Sequence, residues 1–202
     1  MVVTTRRTNQ ERTRTTRRAL ITAARQRFES DGFAGTNLDD VAELAGVTKG
    51  ALYHHFPTKR ALYDAVVVDI QDEIHVQASR RADKAETAWD KLVEALVGFI
   101  ETTPEPGIRM LMVEAPAVLG YRRWQEIGEE RHLEAIIGAL EELRGTGELA
   151  FEATPELARV VNTMTTALAT LVSQDDDPVA MGAAVIPIWE HVLRSLKAPS
   201  PR

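Results

Sequence analysis

A chain of 202 residues and 22.4 kDa is long enough for one large domain or two small ones with cores of their own. It holds no cysteine, which excludes disulfide frameworks, thiol nucleophiles, Cys-type zinc sites and iron–sulfur clusters and fits a cytoplasmic protein. A net charge of −6 and a pI near 5.4 argue against nucleic acid as a partner until the charge is divided along the chain. Residues 1–60 carry eleven Lys or Arg against six Asp or Glu, a balance of +5, and residues 61–202 thirteen against twenty-four, a balance of −11. Within residues 1–27 eight arginines face Glu11 alone. This asymmetry describes a module that meets a polyanion followed by one that does not. No apolar run of signal-peptide length follows the N-terminus, and the longest uncharged stretches, 160–174 and 178–189, are too short to cross a bilayer. A secretory leader and a membrane partner are therefore not expected.

Apolar spacing is helical throughout, which predicts an all-α fold of about nine helices. In the first, Leu20, Ile21, Ala24 and Phe28 form a stripe that ends at Asp31-Gly32, with Gly32 suited to a left-handed cap. Thr36 and Asn37 offer N-caps to a short helix carrying Leu38, Val41, Ala42 and Ala45, broken at Gly46. Thr48 caps a third helix, Lys49–His55, and Phe56-Pro57-Thr58 separates it from a fourth that starts near Lys59. Leu62, Val66, Ile70 and Ile74 recur every four residues along that helix and carry it into the low 80s, long enough to join two domains. Trp89, Leu92, Leu96 and Phe99 mark a fifth helix, closed by Pro104-Glu105-Pro106-Gly107. A sixth runs from Ile108 to about Ala115 and is followed by a bent link through Pro116 and Gly120. Trp124, Ile127, Ile136, Ile137, Leu140 and Leu143 trace a seventh, stopped at Gly145-Thr146-Gly147. Thr154-Pro155-Glu156 and Asp177-Pro178 open the last two, at about 154–174 and 178–197. These have almost no charged face, and a chain of this size has few places to bury two such helices alone. A homodimer interface is the simplest solution.

Two short helices broken at a glycine make a helix-turn-helix, the second helix of which enters the major groove in DNA-binding proteins. The content of Lys49–His55 favours that reading. Thr48 and Lys49 set a hydroxyl, a cation and free backbone amides where a phosphate or base edge would lie, Gly50 and Ala51 keep the surface low, and Tyr53, His54 and His55 add donors along the next turn. Adjacent histidines point about 100° apart on a helix and make a poor metal chelate.

Phe28, Gly32-Phe33, Thr36, Val41-Ala42, Ala45-Gly46-Val47, the run Thr48 to Phe56, and Lys59 with Leu62 resemble the N-terminal signature of the tetracycline-repressor (TetR/AcrR) family of transcriptional regulators, a likeness that runs over about residues 17–63. Beyond about residue 70 the chain resembles that family in layout only. The resemblance implies a flexible basic arm at 1–12, an N-terminal three-helix DNA-binding domain at 13–60, and a helical ligand-binding and dimerisation domain at 61–202, joined by the long fourth helix. It implies phosphate contacts for Thr36 and Lys59, with Thr48, Tyr53 and His55 joining them. Lys49, Gly50 and His54 are then placed at base edges, with Tyr53 able to do either, while Ala51 offers only a methyl. Arg6, Arg7, Arg12, Arg14, Arg17 and Arg18 either follow the DNA backbone or enter the minor groove, or else form a solvated tail.

In the second domain the family layout implies a small-molecule effector of apolar or amphipathic character. Trp89, Phe99, Met110, Met112, Trp124 and Met164 are candidate cavity walls, with Arg109, Glu114 or His132 orienting a polar group; aromatic residues and methionines at helical spacing are equally the makings of a plain core. The rival reading is a helical-bundle enzyme or metal-binding protein using Glu129 and His132, the single Glu-x-x-His of the chain, but a di-metal bundle needs a second copy. Asp175-Asp176-Asp177 lacks calcium-loop spacing and Gly145-Thr146-Gly147 lacks a third glycine, so neither cofactor nor metal is expected. The expected function is a homodimeric repressor of a near-palindromic DNA operator, released by ligand.

Overall fold

The computed structural model describes residues 9–199, which form α-helices and one isolated antiparallel bridge. The helices are α1 (Asn9–Gly35), α2 (Leu38–Leu44), α3 (Lys49–His55), α4 (Lys59–Ala82), α5 (Ala88–Glu101), α6 (Pro106–Arg109), α7 (Ala115–Leu119), α8 (Tyr121–Gly145), α9 (Pro155–Gln174) and α10 (Pro178–Arg194). A π-helical turn, Met110–Glu114, joins α6 to α7 without a break. Counting 106–119 as one irregular helix gives nine among the described residues, the number expected. The chain divides into two compact units, 1–69 and 70–202, and α4 passes from one into the other.

The first unit owes its shape to caps and glycines. Gly32 takes φ 67°, as the sequence suggests, but with an extended ψ of 172°, so α1 is interrupted there before a last short turn. Asn37, not Thr36, caps α2, its side chain accepting from Asp39 N. At the other end Gly46 has φ 66°, and bonds from Gly46 N to Glu43 O and from Val47 N to Ala42 O, both 3.0 Å, close a Schellman motif. Thr48 caps α3 through a 3.2 Å bond from Ala51 N. Behind these helices Leu20, Phe28, Val41, Leu52, Leu62 and Tyr63 are fully buried. The rings of Phe28 and Phe33 both meet Tyr63 edge-on, at 4.9 and 5.1 Å. Of the expected arm, residues 1–8, with Arg6 and Arg7, lie outside the described residues, and Asn9–Arg12 belong to α1.

In the second unit α5, α8, α9 and α10 pack around a core that includes Leu92, Ile100, Leu140, Leu143, Val161, Val172 and Trp189. Two boundaries differ from expectation. Pro116 does not make a bent link; it sits at the second position of α7, and the irregularity falls before it, where Ala115 N bonds Met110 O across a π turn. Proline has no N–H to give the Met112 carbonyl, and a widened turn accommodates the loss. The chain breaks instead at Gly120, φ 81°. The last helix ends at Arg194, three residues early, because Leu196–Ala198 leave the helix to bridge Glu148–Ala150, with Ala150 N bonding Leu196 O at 2.9 Å and Ala198 N bonding Glu148 O at 2.8 Å.

Candidate nucleic-acid interface and effector cavity

α3 buries Leu52 against the first unit and presents most of its other side chains to solvent. Thr48, Lys49, Gly50, Tyr53 and His54 are exposed, Tyr53 by 43%, while Ala51 and His55 are half-buried. Tyr53 at that exposure is no core residue. Gly50 is informative because the fold does not demand it: its φ is not positive, and a Cβ there would meet nothing nearer than the Thr48 hydroxyl at 4.0 Å. A smooth patch that neither packing nor backbone requires points to a surface that something approaches closely.

Lys49 is held by Asp39 of α2, with Nζ 2.8 Å from one carboxylate oxygen and 2.9 Å from the other. That hydrogen bond, then the charge of Asp39, raises the Lys49 pKa, so its cation is secure. His55 is shifted the other way, first by desolvation and then by His54 and Arg17, which favours the neutral imidazole. His54 and His55 meet edge to face, 5.5 Å apart. Lys59 turns back on its own unit, donating to Ala34 O at 3.1 Å and lying 4.9 Å over the Phe33 ring. Arg17 likewise lies over Phe56 at 5.2 Å.

Thr36 is placed inside the first unit and not on the exposed face. It is only 3% exposed, and its hydroxyl donates to Gly32 O at 2.7 Å and approaches Arg27 O at 3.1 Å. It fastens the interrupted end of α1 from inside, with little surface of its own.

The second unit holds a cavity of about 720 Å³ that opens to solvent, walled by the part of α4 beyond Ile70, α5, the π turn, α8 and α9. Phe99, Met112, Trp124 and His132 line it, as the sequence suggests. Trp89, Met110 and Met164 do not. Trp89 is buried in the core beneath the Lys197 ammonium, 4.8 Å from its ring, Met110 is 5% exposed within the same unit, and Met164 lies on the outer face of α9, 41% exposed. Arg109 and Glu114 are also absent from the lining. Sequence reasoning missed Gln71, His75 and the threonines of α9, including Thr166 and Thr170. The signal available was the run of threonines in a helix with no charged face.

His132 and Gln71 organise the polar end, Nε2 to Oε1 at 2.7 Å, and His75 stands 5.8 Å from the His132 ring. Burial, with His75 and Arg131 adding to it and Asp72 opposing, lowers the His132 pKa to about 4. The ring is therefore neutral at physiological pH and donates its Nε2 proton to the Gln71 carbonyl oxygen. Glu129 has other partners, Gln125 at 3.2 Å and Arg159 at 3.8 Å, so it does not share a site with His132. Among the described residues no group of three or more His, Asp or Glu is gathered as a metal site.

An exposed helix-turn-helix on one unit and a hollow helical bundle in the other define a class of two-part regulators. The chain matches the family model described as bacterial regulatory proteins, tetR family, over residues 20–66, and the tetracyclin repressor-like C-terminal domain over residues 89–196. It belongs to that family, whose members are transcriptional regulators and not enzymes. It is 48% identical over 56 residues to the HTH-type transcriptional regulator RutR of Escherichia coli K12, which covers 28% of this chain and 26% of that one. It is 44% identical over 87 residues to TtgR of Pseudomonas putida, covering 43% of this chain and 40% of that one. The chain thus matches less than half the length of these curated relatives. Among solved structures, a TetR-family transcriptional regulator from Pectobacterium atrosepticum superposes with a TM-score of 0.84 at 29% identity, over 97% of this chain and 100% of that one.

Proposed function

We propose that the protein is a homodimeric, sequence-specific DNA-binding regulator of the cytoplasm, a repressor that leaves a near-palindromic operator when an amphipathic small molecule fills the cavity of the second unit. The observation that carries this reading is the surface of α3 and its cap, with Thr48, Lys49, Gly50, Tyr53 and His54 exposed and Ala51 and His55 half-buried beside them on a firmly packed first unit. In this reading Lys49, Gly50 and His54 approach base edges, Thr48, Tyr53 and His55 hold phosphates, and Lys59 adds charge at the margin. Thr36 holds the end of α1 from within.

Dimerisation is supported by the outer faces of α9 and α10. Val160, Met164 and Leu171 on one, and Val179, Ile188 and Val192 on the other, are exposed in the single chain, Val179 by 69% and Ile188 by 63%. Val160, Met164 and Leu171 recur at helical spacing on α9, and Ile188 and Val192 on α10, apolar surface of a kind that soluble monomers rarely leave in water. To meet neighbouring major grooves, a two-fold dimer through these faces has to hold its two α3 helices about 34–36 Å apart. A ligand favouring a different spacing by roughly 1–3 kcal/mol would weaken operator binding about 5–150-fold, and DNA would weaken ligand binding equally.

The test is fluorescence anisotropy with the DNA upstream of the gene. Native protein gives a saturable complex whose affinity falls steeply with salt, and the Lys49→Ala/Tyr53→Phe variant loses it. Unchanged binding by that variant removes the reading helix from the proposal.

A further inference from the structure

We infer that the cavity of the second unit takes an apolar ligand bearing a carbonyl oxygen, which accepts a hydrogen bond from the side-chain amide of Gln71. The inference rests on the reading of the cavity as the effector site and adds the group that a ligand must carry.

Much of the lining is apolar, with Leu92, Leu96 and Phe99 of α5 and Ile136 of α8 among it. Burial of hydrocarbon on such walls supplies affinity without direction. Orientation comes from the few polar groups set deep in a site. Two polar side chains of the lining are buried, Thr165 at 2% exposed and Gln71 at 4%. Thr165 gives its proton to Val161 O at 2.8 Å within α9, so it has none to offer.

Gln71 is only half used. Its Oε1 accepts from His132 Nε2 at 2.7 Å, while the amide nitrogen carries two protons and has no partner in the chain. Among the described residues the side-chain nitrogens that are both sealed and unbonded belong to Arg27, Arg81, Trp124 and Trp189; Gln71 Nε2 is not one of them, so it keeps accessible surface. That surface belongs to the cavity, because the groups around it are cavity walls: His132 against the amide oxygen, His75 one turn along α4, and Gly128 one turn before His132 on α8.

Gly128 shows which side of the amide is open. A Cβ there would have Gln71 Nε2, at 3.6 Å, as its one close neighbour, and its φ is not positive. Glycine inside α8 therefore serves neither a turn nor close packing, and it leaves the amide uncovered where a side chain would lie. A buried N–H without an acceptor carries the full desolvation loss, which an incoming oxygen recovers. The donor is an amide dipole backed by a neutral imidazole, and a carbonyl oxygen is its ordinary partner.

The test pairs two probes of one shape, 4-phenylcyclohexanone and the alkene in which a methylidene group replaces the carbonyl oxygen, titrated calorimetrically into the full-length protein at pH 7.5. Gln71→Met keeps the length of the side chain and a weak acceptor for His132 but has no N–H. It is expected to lower ketone affinity about five- to tenfold, the loss of one hydrogen bond, and alkene affinity by less than about twofold. A merely structural role for Gln71 would move both probes together. An equal change in both, no change in either, or no binding of the ketone to the native protein overturns the inference. On the native protein alone, the infrared stretch of a carbon-13-labelled ketone carbonyl is expected below its position in hexane; a stretch at the hexane value overturns the inference without any variant having to fold. Operator anisotropy on the same samples tells the two readings apart. Ketone binding that depends on Gln71 but leaves DNA binding undisturbed supports the ligand chemistry and removes the effector role, whereas equal release by ketone and alkene keeps the effector role and overturns the chemistry.

Discussion

Gly50 and Thr36 occupy opposite ends of the argument about what contacts DNA. Gly50 is exposed, helical and unconstrained, so Gly50→Ala is expected to raise stability by up to about 1 kcal/mol through helix propensity while weakening operator binding, because the added methyl stands where the DNA surface must come. Thermal unfolding and anisotropy on one preparation read both signs. A glycine kept for the fold would show the reverse order, as Gly46 should: alanine at its φ of 66° costs about 1–2 kcal/mol, seen as a lower midpoint. Thr36→Val keeps the volume but removes a hydroxyl donated to Gly32 O, and the expected loss is about 1–2 kcal/mol of stability. Were Thr36 a phosphate contact, stability would hold and affinity alone would fall.

Helix boundaries were readable wherever a cap or a glycine marks them locally. Thr48, Thr154 and Asp177 cap the helices their types suggest, and Gly46 and Gly147 end helices in left-handed conformations. What could not be read was set by distant partners. The C-terminal segment leaves α10 at Ser195 to meet Glu148–Ala150, and nothing in its own composition requires that. The cavity is the larger case. Apolar period identifies which residues are inside but not whether the inside is filled, so Trp89 and Met110 had the same appearance as Phe99 and Met112. Gln71 meets His132 across 61 residues and two helices, beyond any local signal. Burial of His132 also sets a pH response. With a folded pKa near 4 against about 6.5 unfolded, His132 binds its proton more readily in the unfolded chain. Its contribution is therefore complete above pH 6.5 and is lost as pH falls towards 4, at most about 1.4 kcal/mol per unit and roughly 3 kcal/mol in all. Unfolding of the native protein and of His132→Gln at a series of pH values should show that limb flattened in the variant.

The charge division along the chain and the apolar faces of α9 and α10 give the dimer its testable form. Ile188 is 63% exposed and touches little of its own chain, so Ile188→Glu should leave the fold intact. Light scattering is expected to fall from twice 22.4 kDa to a single chain, and operator binding to weaken because paired half-sites are no longer engaged together. A variant that stays dimeric would move the interface elsewhere. The Lys49–Asp39 bond adds a consequence for how such a complex answers to salt. Binding strength normally follows the number of small cations that a protein expels from the DNA, one for each basic group that replaces them. Lys49 arrives with its charge already matched by Asp39 at 2.8 Å. If it keeps that partner it displaces no cation, and if it leaves, Asp39 recruits one from solution. The logarithmic salt slope should therefore fall short of the count of basic contacts by about one, and Asp39→Asn should restore the difference.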